Sequence, residues 1–174
     1  MAARLCVALY QFWVVRRSHI TEGIGWLERA LARANVLSAA VRAWMLFTTS
    51  DLYGWVGAHD AHERAKQLIV ESLALFRDLG DRRGIAAALI WAGEFEDTAA
   101  RAVACWQESL ALARELGDRS TVAYALLRLG FSASDPGDYT QAGLLLEEAL
   151  SLYRALDHPH GVAGGLRCLG RLHF

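Results

Sequence analysis

Residues 108–130 read ESLALARELGDRSTVAYALLRLG, and the same phrase stands upstream at 71–93 as ESLALFRDLGDRRGIAAALIWAG. A looser copy, EALSLYRALDHPHGVAGGLRCLG, occupies 148–170. Leu73, Leu110 and Leu150 are equivalent, with spacings of 37 and 40 residues; Gly93, Gly130 and Gly170 repeat both spacings. A weaker copy, WLERALARANVLS at 26–38, puts Leu31 at the same place. Self-similarity with a period of about 20–50 residues marks a solenoid, in which each unit buries its apolar face on the next. The expected fold is therefore all-α, a superhelix of about four and a half helical hairpins. Its units cover about 1–37, 38–80, 81–117 and 118–157, with a partial unit at 158–174.

The junctions between units carry the punctuation. In Leu79-Gly80-Asp81 the glycine ends one helix in a left-handed conformation and the aspartate caps the next. Leu116-Gly117-Asp118 repeats the device. At Leu156-Asp157-His158-Pro159 it is altered: Asp157 stands for the glycine, and Pro159 falls where a first-turn proline is tolerated. Thr21 and Ser38 are further candidate caps. The spacing predicts helices over 1–15, 21–35, 38–53, 61–79, 82–95, 99–116, 119–132, 139–156 and 161–174. The last is weakened by Gly164, Gly165 and Gly170. Val162, Leu166, Leu169 and Leu172 have one neighbour to cover them, and the chain opens in an apolar helix. Both ends read as cut from a longer array or covered by another molecule, which leaves self-association open.

Composition narrows the function classes. The 174 residues are 54% hydrophobic and carry a formal charge of −1, so no basic face announces nucleic acid. Cys6, Cys105 and Cys168 are isolated among apolar residues, with no CxxC pair for zinc or a disulfide framework. The longest apolar run, 5–15, is too short to span a bilayer, and Arg16-Arg17 follows it where a signal peptidase would need small residues. A cytoplasmic location is the default. His59, Asp60, His62 and Glu63 form the densest potential metal cluster, but no third ligand follows at suitable spacing, and a solvated polar turn is expected. Asp157, His158 and His160 read the same way. Ser132 and Ser134 lie near Asp135 without a nucleophile elbow or a positioned histidine. No catalytic constellation, metal or cofactor is expected, and an enzyme is the poorest of the readings.

Leu129-Gly130, Ala142 and Ala149 reproduce the small-residue pattern that lets paired helices approach closely, with Leu126 and Leu146 at the large positions. Ala65/Ser72, Ala102/Ser109 and Gly23/Ala30 are the matching small pairs. In this the chain resembles tetratricopeptide repeats. Its longer repeat, without the terminal proline, is similar to the repeat arm of bacterial LuxR-type transcription regulators and signal-transduction ATPases. The stretch FWVVRRSHITEGIGWLERAL at 12–31 resembles the start of that arm. There is no GxxxxGK[ST] loop and no evident helix-turn-helix.

The resemblance implies a right-handed superhelix whose first helices line a concave face. The groove positions then fall on Leu5, Ala8 and Phe12; on Ala87, Ile90 and Glu94; on Tyr124, Leu127 and Phe131; and on Arg167 and Arg171. Phe47, Ser50 and Gly54 are their counterparts in the second unit. The resemblance further implies a non-catalytic interaction scaffold, the sensing or partner-binding arm of a regulator or a fragment of one. It would bind an apolar, helical protein segment, with no direct contact to nucleic acid or membrane. The alternative is a domain that binds a small-molecule effector in the same groove. Apolar stripes of this kind also pack between units. Of the six tryptophans, Trp55, near a turn, is expected to be exposed.

Overall fold

The computed structural model describes residues 19–32, 37–56, 59–134 and 138–172. Leu5, Cys6, Ala8, Phe12 and the turn Asp135-Pro136-Gly137 lie outside the described residues. Eight helices and no strand occur among those described: α1 (Ile20–Leu31), α2 (Ala39–Gly54), α3 (His59–Asp78), α4 (Arg82–Glu94), α5 (Ala99–Glu115), α6 (Arg119–Ser134), α7 (Tyr139–Ala155) and α8 (Pro159–Leu172). The protein is all-α, and its contacts divide it into two compact units, residues 1–95 and 96–174. Within each unit, helices consecutive in sequence pack on one another, as a succession of helical hairpins requires.

In the first unit, Ile20, Ile24 and Leu27 recur at intervals of four and three residues on α1, and together they cover Met45 and Leu52 of α2. Each such buried side chain contributes about 1.5–3 kcal/mol over its exposed state. The crossing of α2 and α3 is close because small residues stand at it. Ser50 Oγ donates to the Ala65 carbonyl and Ser72 Oγ to the Ala43 carbonyl, both at 2.8 Å. All four residues are fully buried. Ala65, Leu68, Ile69, Ser72, Leu73 and Phe76 all point inward on α3, as their spacing predicts. Ser38 caps α2 by accepting from the Val41 amide. Thr21 does not cap α1: the helix already starts at Ile20, the N-cap position is His19, and no side chain makes the cap bond.

In the second unit, Ala113, Val122, Ala123, Leu126, Ala149 and Tyr153 form the core between α5, α6 and α7. The α6–α7 crossing depends on Gly130. A Cβ there would stand 2.8 Å from Leu146 Cγ and 3.3 Å from the Ala142 carbonyl oxygen. Ala142 and Ala149 are fully buried, as the small-residue pattern requires. Thr98 and Asp138 cap α5 and α7 through the amides of Arg101 and Gln141. Helix α6 runs on to Ser134, two residues beyond its expected end, and Ser134 Oγ donates to the Phe131 carbonyl.

Three junctions repeat one hydrogen-bond pattern. Gly80 N donates to the Arg77 carbonyl and Asp81 N to that of Phe76; Gly117 and Asp118 do the same to Arg114 and Ala113. Asp157 and His158 complete the set on Arg154 and Tyr153. This is the Schellman arrangement, which satisfies the carbonyls left over at a helix end. Gly80 and Gly117 take φ of 64° and 66°, and Asp157 accepts the same left-handed seat at 50°. Asp81 and Asp118 then cap the following helices through the Gly84 and Thr121 amides. At the third junction His158 is the cap: Gly161 N donates to its Nδ1 at 2.9 Å. The polar turn expected at 157–160 is thus a built helix start, with Pro159 in the first turn of α8.

Candidate partner-binding cavity

The repeat arithmetic places Leu127, Arg128 and Phe131 of α6 in the same positions as Arg167, Cys168 and Arg171 of α8, 40 residues on. Both triplets have the spacing i, i+1, i+4, which puts them on one side of a helix. Where α6 and α8 lie together in the second unit, these six residues line one cavity of about 320 Å³. Four of them, Leu127, Phe131, Arg167 and Arg171, are expected groove residues, brought together from two helices.

Phe131 is the centre of the electrostatics. The Arg171 guanidinium lies 5.0 Å from its ring centroid and that of Arg128 5.8 Å. Arg128 also lies 5.4 Å from the ring of Trp106, a buried residue of α5. Cations within about 6 Å of an aromatic face are held by the ring quadrupole. Such stacking fixes the guanidinium plane and leaves its N–H edge able to donate. Arg167 and Arg171 are exposed, Leu127, Arg128 and Phe131 half-buried, and Cys168 buried. Tyr124, one turn before Leu127, does not line the cavity; it lies beside the Tyr153 phenol. Burial pushes that phenol up, Tyr124 adds to the rise and Arg128 opposes it.

The other expected groove positions are not among the residues that line this cavity. Ala87, Ile90 and Glu94 belong to α4 of the first unit. Ile90 is buried in the core, and Ala87 and Glu94 are half-buried. Ser50 is fully buried in the α2–α3 crossing, where its hydroxyl ties the two helices together. Phe12 lies outside the described residues. Arg128 and Cys168 are lining residues that the groove pattern passed over.

Among the described residues, no group of three His, Cys, Asp or Glu side chains could hold a metal ion. His62 instead stacks edge-on against Phe95, 4.8 Å between centroids. No described helix is long and apolar enough to cross a membrane. Trp55 is exposed as expected, and Trp26 is more so, at 58% against 44%. The Arg29 guanidinium lies 4.7 Å from the Trp26 ring. No protein-family model matches the chain, and comparison with curated proteins finds no match.

Proposed function

We propose that the chain is a non-catalytic, tetratricopeptide-like scaffold that binds a protein segment, as the partner-binding arm of a bacterial signalling or transcription regulator. The observation that supports this reading is the cavity itself. Consecutive first helices of the repeat place Leu127, Phe131, Arg167 and Arg171 around one recess. A repeat that needed these positions only for packing would fill them. Here an aromatic ring and two exposed guanidinium groups border empty space instead. Apolar anchors with arginine beside them are the chemistry of binding hot spots. Self-association is a further part of the proposal, since Leu166 of α8 is 49% exposed whereas its counterpart Leu126 is fully buried.

One observation favours the effector-binding alternative: about 320 Å³ falls at the lower edge of the roughly 300–1,000 Å³ typical of small-molecule pockets. Replacement of a half-buried ring by a carboxylate tests the protein-segment reading. Phe131→Glu is expected to abolish binding of peptides selected from a random library on the wild-type chain. Circular dichroism should show unchanged helicity, and light scattering an unchanged mass. Full retention of binding would remove this face from consideration.

A further inference from the structure

One stripe recurs on four helices. It is Ala43, Leu46 and Ser50 on α2, Ala86, Leu89 and Gly93 on α4, Ala123, Leu126 and Gly130 on α6, and Ala163, Leu166 and Gly170 on α8. The spacing i, i+3, i+7 puts each set on one side of its helix. All the residues of the first three sets are buried. On α8 Ala163 and Leu166 are exposed and Gly170 is half-buried. A Cβ on Gly130 would stand 2.8 Å from Leu146 Cγ, whereas one on Gly170 would meet nothing within 4 Å. The same stripe is thus closed three times and open once.

The closed stripes show what fits. On α2 it is α3, tied by the Ser50 and Ser72 hydroxyls to the Ala65 and Ala43 carbonyls. On α6 it is α7, whose Ala142 and Leu146 face Gly130 and whose Ala149 joins the core with Ala123 and Leu126. The incoming helices share the pattern small-x3-large-x-Glu-small: Ala65, Ile69, Glu71 and Ser72 on α3, and Ala142, Leu146, Glu148 and Ala149 on α7. The small residues let the backbones approach, and the large one fills the space between them. The glutamate reaches sideways: Glu148 Oε1 meets Arg114 Nη2 of α5 at 2.9 Å. Forty residues after Arg114, Arg154 stands exposed at the same place in the last turn of α7. We propose that the stripe of α8 binds a helix of this pattern from a separate polypeptide, with its glutamate on Arg154. The pattern occurs three times in the 174 residues, on α3, α5 and α7. Its small and large residues are buried in all three, so neither this chain nor a second copy has one to spare. The stripe does not line the cavity, and the inference does not depend on the cavity reading. Leu166 also carries the self-association proposed above, so the helix and a second copy compete for one face.

A synthetic peptide of residues 138–157 holds the pattern and serves as the probe. Its binding to the full chain is read by fluorescence anisotropy, and the mass of the complex by light scattering. The expected result is saturable binding of one peptide to one chain. Leu166→Glu changes an exposed side chain, so circular dichroism should be unaltered, and the Kd should rise by about tenfold or more. A peptide with Ala142→Leu should lose about as much, because the larger side chain holds the backbones apart. Arg154→Glu should weaken binding by about threefold, and Glu148→Lys in the peptide should restore it. Failure of the peptide to bind would overturn the inference. So would binding indifferent to Leu166→Glu, which would place the peptide elsewhere or in the seat of α7 on α6. A self-associated mass that the peptide does not reduce would assign the face to a second copy instead. Phe131→Glu should leave the Kd of this peptide unchanged, so that this inference and the cavity reading fail separately; an equal loss in that variant would move the peptide to the cavity and overturn the assignment to α8.

Discussion

The first and third junctions differ from the second in one respect. Phe76 closes α3 and faces Gly84; Tyr153 closes α7 and faces Gly161. A Cβ on either glycine would lie 2.3 Å from a ring carbon. At the equivalent positions of the second junction stand Ala113 and Thr121. Phe76 and Ala113 are fully buried and Tyr153 nearly so, so the seat is closed whichever residue fills it. The backbone bonds are the same at all three junctions. The volume is shared differently: a large ring with no opposing side chain, or a methyl group with a threonine opposite. Interiors packed at crystal-like density allow such paired exchange and resist half of it. A residue of one repeat cannot be transplanted into another without its partner.

The largest effect should follow from breaking an aromatic–glycine pair. Gly161→Ala places a methyl against Cγ, Cδ1 and Cε1 of Tyr153, a ring held by burial on one side and by the His158 stack at 5.3 Å. Overpacking costs about 1–3 kcal/mol, and only part of that is offset by the roughly 1 kcal/mol helix preference of alanine over glycine. Gly161→Ala and Gly84→Ala should each destabilise by about 2 kcal/mol in chemical denaturation. Thr121→Ala, at the same repeat position, should cost under about 1 kcal/mol through loss of the hydroxyl bond to Asp118. Equal effects at all three sites would dissolve the distinction drawn between the junctions.

The coupling between the two positions is an intermediate effect, and it tests the exchange directly. Ala113→Phe alone should destabilise by about 1–3 kcal/mol, because Val122, Ala123, Leu126, Ala149 and Tyr153 already surround the site. Adding Thr121→Gly recreates the pairing of the outer junctions. The double-mutant cycle should return a favourable coupling of about 1 kcal/mol or more. Strict additivity would show that the two positions do not share one seat.

The repeat was legible because it is written in residues whose physics is local. Gly80 and Gly117 end helices for want of a Cβ, and Asp81 and Asp118 cap the next ones by reaching their own third amide. The small residues Ala65, Ser72, Ala142 and Ala149 mark crossings, and all are fully buried. What escaped the pattern depends on juxtaposition. His158 caps α8 through a ring nitrogen, a role the hydroxyl and carboxylate rules of helix starts do not cover. Arg128 lies one residue off the groove stripe and joins the cavity only because α8 brings Arg167 and Arg171 beside it. Trp26 sits in an amphipathic helix and still lies largely outside, held against Arg29. Four of the six lining positions stand on the expected groove stripe, but their assembly into one cavity was not legible, since a period of 40 residues separates its two halves.

The smallest expected effect concerns the one junction without glycine. Asp157 holds φ at 50°, a conformation that costs L-residues about 1–2 kcal/mol, aspartate less than most. Its carboxylate also sits just beyond the C-terminal end of α7, where the helix dipole disfavours negative charge. Asp157→Gly relieves both terms and gives back part of the gain through the greater freedom of glycine in the unfolded chain. The net change should be a stabilisation of about 0.5–1 kcal/mol, making the third junction match Gly80 and Gly117. Greater stability at unchanged m-value would mean that the three junctions are one device with interchangeable turn residues. A loss of stability would mean that Asp157 has a contact of its own, and that the third junction follows a different design from the other two.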